Sequence, residues 1–343
     1  MPSHLRFPAE WEPQSAVLLA WPHDGTDWAE RLAGVERTYV ALVAAITRFQ
    51  PALVCVADAT LRERARGLLA DAGAAMERVR FFEVDYDDTW LRDSGPITLR
   101  EGEGLRLLDF HFTAWGGKFE AGLDDQIVAK LHASGLLAEA AHQRIDFALE
   151  GGGIETDGAG TLLSTWHCLH ERHPDLSRGQ VTATLEGALA QSRTLWLDHG
   201  YLEGDDTDAH IDTLARFAAP DAIVFQACDD PADGHYAELQ AMAAEIAALR
   251  TADGQPYRLF PLPWAAPVLD EGRRLAASYA NFLIINGAVL MPAYGDAKDD
   301  AAAAVLAGAF PGREIVQIDC RPLIWQNGSL HCVTMQLPEG LLA

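Results

Sequence analysis

Short apolar runs rich in β-branched and aromatic residues alternate along the chain with alanine- and leucine-rich stretches whose apolar positions recur at helical spacing. Residues 16–21 (AVLLAW), 52–57 (ALVCVA), 79–84 (VRFFEV), 105–110 (LRLLDF), 194–197 (TLWL), 222–227 (AIVFQA), 282–287 (FLIING) and 315–319 (IVQID) read as strands. Between them, residues 29–49, 60–75, 122–134, 178–191, 234–250 and 297–309 read as helices. Strand and helix alternate from end to end, which predicts an α/β fold. No long proline- or serine-rich linker interrupts the alternation, so residues 1–343 are read as a single domain. No exact repeat is visible, although units of strands and one helix recur, and periodicity alone fixes no topology.

Composition narrows the setting. The chain is 49% hydrophobic over 343 residues, enough for a large core. No stretch has the length of a membrane-spanning helix, and the start MPSHLRFPAEWEP lacks the basic and apolar regions of a secretory signal, so a cytoplasmic protein is expected. Five cysteines, Cys55, Cys168, Cys228, Cys320 and Cys332, are odd in number, dispersed and without a CxxC pair, which predicts reduced thiols. The 26 Lys and Arg stand against 50 Asp and Glu, a net charge of −24. Phosphate neutralisation needs clustered basic residues, which argues against a nucleic-acid partner, and the lack of a spanning stretch argues against a membrane one. Such a charge serves solubility first, and it also draws in a cationic ligand.

Four segments carry candidate chemistry. LEGGG at 149–153 has no GxGxxG and is followed by a strand and turn, so nucleotide binding is rejected. Its glycines would instead let the backbone pass close to a ligand while Glu150 points into a site, the plain alternative being a strand end. In DDTWLRDSGP (87–96), Asp93 is expected at a strand-to-turn boundary, displayed for function or capping its own turn, and Trp90 lies in the core or lines a pocket for a cation. In GDDTDAHIDT (204–213), alternation places His210 and Asp212 on one face of an extended segment, with Ile211 on the other. HxD could supply two metal ligands, but no third histidine at a recognisable spacing accompanies it, and no metal is assigned. In NGSLHCVT (327–334), Asn327 and Gly328 make a turn, LHCVTM starts an apolar strand, and Cys332 lies close to the turn. Most buried cysteines are inert, and Cys55, Cys228 and Cys320 sit in or beside apolar strands. Cys168, in the polar loop WHCLHERH, is the rival thiol. A thiol, an imidazole and carboxylates together suffice for nucleophilic attack on a cationic carbon.

EWEPQSAVLLAWPH (10–23), LRDSGP (91–96), FTAWGGKF (112–119), LEGGGIETDGAGTLLST (149–165), HID (210–212), SYANFLIINGAVLMPAYGD (278–296) and NGSLHCVT occur in an order and spacing that resembles the agmatine deiminase and bacterial peptidyl-arginine deiminase family over nearly the whole chain. The resemblance implies the pentein fold, a five-bladed α/β propeller of ββαβ-type units around a central site. It also implies hydrolysis of a guanidino group to a ureido group with release of ammonia, without cofactor. Carried over by motif, it makes Cys332 the nucleophile, His210 the general acid and base, Asp93 and Asp212 the guanidinium clamps, and Glu150 a further acid of the site.

The expected substrate is a small guanidino cation, agmatine first, with arginine or peptidyl-arginine as alternatives and self-association into a homo-oligomer left open. Two motifs depart from the family pattern, WQNGSLHC where a GGGN-type run precedes the nucleophile and DAHIDT where an NGHVDN-type segment is usual. Both changes bear on recognition of the far end of the substrate. An amine there calls for another acid, Asp87, Asp206 or Asp208. A thiol amidase or a cation-binding protein without catalysis are the readings from other classes, and neither needs the whole constellation.

Overall fold

The computed structural model describes residues 5–343 and is a mixed α/β structure. Among the described residues, five sheets of three or four strands share one pairing rule, an antiparallel pair whose second strand then takes a parallel neighbour. Ile97–Glu101 and Gly104–His111 pair antiparallel, and Ala141–Ala148 joins the latter in parallel. Ile154–Thr156, Thr161–Thr165 and Arg193–Leu197 repeat this, as do Ala215–Ala219, Ala222–Gln226 and Arg258–Leu262. Leu283–Ile285, Ala288–Ala293 and Glu314–Asp319 form the fourth sheet. The fifth joins both ends of the chain, for Met335–Pro338 pairs antiparallel with Gln14–Ala20, which runs parallel to Ala52–Val56.

Parallel neighbours need a crossover, and each parallel step encloses a helix. Leu32–Phe49, Ala59–Asp71, which links Ala52–Val56 to its second parallel neighbour Val79–Glu83, Ile127–Ala133, Arg178–Ala188, Tyr236–Ala248 and Asp299–Ala309 are these crossovers. In Leu32–Phe49 the buried residues Val35, Tyr39, Leu42, Val43 and Ile46 recur at three- and four-residue spacing, so one apolar stripe faces the sheet. All eight expected strands and all six expected helices are present within a few residues of their predicted limits. Strands that the pattern did not show include Ala141–Ala148, largely exposed at a sheet edge, and Ala288–Ala293, which carries Pro292. An exposed edge lacks the apolar signal, and proline argues against a strand. No helix is long and apolar enough to cross a membrane among the described residues.

Local geometry corrects four expectations. His210 caps the short 3₁₀ turn Ile211–Thr213, so the segment is not extended. Asp93 lies in a one-turn helix, Leu91–Ser94, rather than at a strand end. Cys332 sits in a turn, and the following strand starts only at Met335. Cys168 is buried on the helix Trp166–Arg172, where its side chain faces inward, and not in a polar loop.

Each link from one sheet to the next delivers one part of a buried polar cluster. Asp93 lies between Val79–Glu83 and Ile97–Glu101, and Glu150 between Ala141–Ala148 and Ile154–Thr156. His210 and Asp212 lie between Arg193–Leu197 and Ala215–Ala219. Asn281 precedes Leu283–Ile285, and Cys332 precedes Met335–Pro338.

Candidate active site

Gly152 shows how tightly these links converge. A Cβ there would lie 2.6 Å from His210 Nδ1, 2.7 Å from Asp93 Oδ1 and 3.2 Å from Asp212 Oδ2. Gly151 is equally confined, its Cβ position falling 2.3 Å from the Arg92 carbonyl oxygen. The glycines of LEGGG therefore bring the backbone against the side chains of the site, and only hydrogen fits at these positions.

Asp93 Oδ1 accepts a hydrogen bond from the Gly152 N–H at 3.0 Å, and Oδ2 accepts one from Trp115 Nε1 at 3.0 Å. These bonds reach across the chain rather than capping the local turn. Burial pushes the Asp93 carboxyl up to about 6, with His210 opposing and the neighbouring Asp212 and Glu150 adding to the rise. Trp115 reaches this position from a strained loop in which Ala114 (φ 46°) and Trp115 (φ 57°) are left-handed.

His210 is fully buried. Its Nε2 lies 3.4 Å from Glu150 Oε2, while Nδ1 has no hydrogen-bond partner and stands 3.7 Å from Asp93 Oδ1. Glu150 is held by Arg172 Nε at 2.8 and 3.1 Å. Burial works against a charged imidazole, but Asp93, Cys168 and Glu150 outweigh it and hold His210 well above the usual histidine value. Burial works against the Glu150 carboxylate too, and the His210 and Arg172 contacts prevail, holding its pKa low.

Cys332 Sγ lies 3.8 Å from Asp212 Oδ2 and 3.3 Å from Asn281 Nδ2. Burial first, then the charges of Asp212 and Asp93, push this thiol well above the ordinary cysteine value. Asp212 is fully buried; its Oδ2 is 2.7 Å from His331 Nδ1 and its Oδ1 has no partner. Despite the burial, the His331 contact keeps its pKa below the ordinary aspartate value. Asn281 Oδ1 accepts the His331 N–H at 2.9 Å and the Cys332 N–H at 3.4 Å, which anchors the turn bearing the thiol.

A cavity of about 350 Å³ opens to Cys332 and Asp93. Its walls include Asp27, Asp87, Asp88, Glu120, Asp124 and Asp206, so seven carboxylates line it with Asp93, and no Lys or Arg does among the described residues. Trp90, Phe112, Trp115 and Phe119 supply aromatic faces. Trp90 is both core and wall, its ring 5.6 Å from that of Trp28. Asp87 and Asp206 are thus where the sequence expected acids, although Asp87 Oδ2 accepts the Leu123 N–H at 2.7 Å and Asp206 Oδ2 accepts from Asn327 Nδ2 at 2.8 Å. Asp208 is not such an acid, for it is paired with Lys118 at 2.7 Å and Arg172 at 2.6 Å.

Cys332, His210, Asp93, Asp212 and Glu150 are therefore assembled, with Trp90, Asp87 and Asp206 on the cavity wall. Sequence reasoning missed Asn281, His331 and Trp115 as site residues. A polar Asn before the apolar run FLII and a His beside the candidate thiol were the available signals.

A buried thiol, an imidazole and paired carboxylates under an acidic, aromatic-walled cavity define an enzyme site for a cationic substrate. A family profile for Porphyromonas-type peptidyl-arginine deiminase matches residues 6–338. Agmatine deiminases of Pseudomonas aeruginosa (strain LESB58) and Stutzerimonas stutzeri (strain A1501) are 35% and 36% identical, each match covering 97% of this chain and 95% of the relative. A substrate-bound cysteine-to-serine variant of the C. jejuni agmatine deiminase superposes with TM-score 0.91 at 35% identity, covering 98% of this chain and 97% of that one. A Porphyromonas gingivalis structure provisionally designated an arginine deiminase superposes with TM-score 0.93 at 49% identity, covering 99% and 100%. The chain belongs to the Porphyromonas-type peptidyl-arginine deiminase family, together with these agmatine deiminases.

Proposed function

We propose that this chain hydrolyses the guanidino group of agmatine, giving N-carbamoylputrescine and ammonia through an amidino intermediate on Cys332. The observation that carries the substrate is the cavity that ends at Cys332, lined by seven carboxylates and no Lys or Arg. Agmatine brings a guanidinium to the thiol and a second cation to the acidic wall. Arginine would bring a carboxylate into that field.

A guanidinium offers five N–H donors in one plane. Asp93 and Asp212 hold that plane, the partnerless Asp212 Oδ1 taking an N–H, and leave the central carbon open to Cys332 Sγ. Water-poor surroundings strengthen both contacts. The incoming cation favours the thiolate, since a nearby opposite charge lowers a thiol pKa. The thiol proton leaves to solvent as the cation binds, and His210, held protonated by Asp93 and Glu150, turns Nδ1 toward Asp93 while Glu150 and Arg172 orient the ring from the Nε2 side. Sulfur attack gives a tetrahedral adduct; His210 protonates the departing nitrogen, and ammonia leaves. His210 then takes a proton from water, which attacks the amidino carbon. Collapse breaks the C–S bond, passes the hydroxyl proton to sulfur and frees the ureido product with His210 again protonated.

We further read the five sheets as the blades of a pentein propeller and residues 1–343 as one catalytic domain. The recurring pairing rule and the joining of Met335–Pro338 to Gln14–Ala20 support that reading. Five unpaired, buried thiols accord with a reducing compartment such as the cytoplasm. The 49% identity to the P. gingivalis structure favours arginine as the second substrate reading.

Ammonia and ureido product are measured with agmatine, arginine and a blocked arginyl peptide, for wild type and Cys332→Ala, without added metal. Turnover of agmatine alone, lost in the variant, is expected. Turnover confined to arginine or the peptide replaces the substrate, and none with any of the three overturns the reading.

A further inference from the structure

His331 and Glu10 touch no part of the substrate cavity, yet they form a continuous buried chain to the carboxylate beside the thiol. Glu10 Oε2 lies 2.8 Å from His331 Nε2, and His331 Nδ1 lies 2.7 Å from Asp212 Oδ2, itself 3.8 Å from Cys332 Sγ. An ionised aspartate only accepts, so His331 Nδ1 carries the proton in this contact, and Nε2 accepts from Arg216 Nη2 at 3.0 Å, the guanidinium that Glu10 Oε2 holds. Glu10 is fixed in turn, its Oε1 accepting the Ile284 N–H at 2.7 Å and its Oε2 accepting Arg216 Nη2 at 2.8 Å. The ring is also held through its own backbone, which donates to Asn281 Oδ1 at 2.9 Å.

The space on the Glu10 side of the ring is a cavity of only about 40 Å³, bounded by Glu10, Arg92, Glu155 and His331. That is room for a few waters and not for a guanidino substrate, so His331 does not receive substrate from this side. The charged groups facing the ring are Glu10, Arg92, Arg216, Asp212 and Glu155, whose carboxylate lies within 4.8 Å of a ring nitrogen. They come from five different links or strands, so the ring's orientation is set from outside its own turn. One consequence follows for Asp212. With Oδ2 committed to His331, rotation of the carboxylate is blocked and Oδ1 stays without a protein partner.

We propose that Glu10 and His331 are positioning residues that lock the Asp212 carboxylate with one oxygen bound and the other presented to the substrate cation. The proposal rests on the reading of Asp212 as a guanidinium clamp. Loosening the chain therefore weakens discrimination in favour of cations at Cys332 more than it weakens the thiol's reactivity.

The test compares alkylation of Cys332 by 2-chloroacetamidine, a cation, with alkylation by 2-chloroacetamide, its neutral isostere, in wild type, His331→Ala, His331→Asn, Glu10→Gln and Asp212→Asn. Wild type is expected to prefer the cation strongly. His331→Ala is expected to lose at least tenfold of that preference with the neutral rate within about threefold, His331→Asn to recover part of it through its remaining N–H donor, and Glu10→Gln to lose less. An unchanged preference in folded His331→Ala overturns the proposal. Should that variant fail to fold, an unchanged preference in the isosteric Glu10→Gln overturns it instead. An unchanged preference in Asp212→Asn would show that the clamp reading itself has failed, separately from the positioning role.

Discussion

Asp93 and Gly152 meet through a 3.0 Å hydrogen bond from the glycine N–H to Asp93 Oδ1, and a Cβ on Gly152 would stand 2.7 Å from that same oxygen. The residue that holds Asp93 is thus also the one whose lack of a side chain makes room for it. Gly152 has no left-handed φ, so substitution acts by crowding and not by backbone strain. Gly152→Ala is expected to reduce kcat/KM by roughly 10²-fold through displacement of His210 and Asp93. Overpacking should also lower stability by about 1–3 kcal/mol. Steady-state kinetics and thermal unfolding check both, and a variant with wild-type kcat/KM would contradict the assembled site.

Cys332→Ala removes the sulfur but leaves Asn281 bound to the backbone of the turn and to His331. Ammonia release should fall by at least ~10⁴-fold with the fold intact, because a covalent route loses its nucleophile outright. Calorimetry should still detect binding of agmatine to the variant.

Asp93, at about 6, and Asp88, pushed up by burial to about 7, are two of the cavity acids whose charge changes near neutrality. Their folded pKa values lie above the ordinary aspartate value of about 3.9. Each therefore contributes stability at low pH that is lost as the pH rises from about 4 through 6 to 7. A bound cation reverses this, since it favours the ionised forms. The Tm increase that agmatine gives Cys332→Ala should be larger at pH 8 than at pH 5, with protons released on binding near pH 6. A ligand-induced Tm shift that shrinks with rising pH would count against Asp93 as the clamp.

Asp206 and Asp208 are two residues apart but differ in role. Asp206 lies on the cavity wall, whereas Asp208 is neutralised by Lys118 and Arg172. Asp206→Asn should raise KM for agmatine by about tenfold, the loss of roughly 1.4 kcal/mol, while leaving KM for butylguanidine, which lacks the amine, unchanged. Asp208→Asn should instead lower Tm and kcat, because Arg172 also orients Glu150. Equal effects of Asp206→Asn on both substrates would remove it from recognition of the amine.

The strands and helices were legible because each buries one face, and a buried face leaves a period in the sequence. Gln14–Ala20 and Leu32–Phe49 are examples, buried along a continuous run and along one stripe respectively. Cys332, His210, Asp93, Asp212 and Glu150 were legible for another reason, the match of ordered motifs to a known family. Local geometry was not: His210 and Asp212 were expected on one face of a strand and instead flank a 3₁₀ turn. A turn three residues long has no period from which to read it.

The sequence by itself determined the alternating elements, the odd and dispersed cysteines, the excess of acid and the candidate chemical groups of the site. Tertiary structure alone decided which of the many acids serve. Asp208 is spent on Lys118 and Arg172, Asp206 faces the cavity, and Glu10 reaches His331 across 321 residues of chain. A carboxylate's role depends on the charges and donors within a few ångströms and on its access to water, which sheet-to-sheet links set and neighbours in sequence do not.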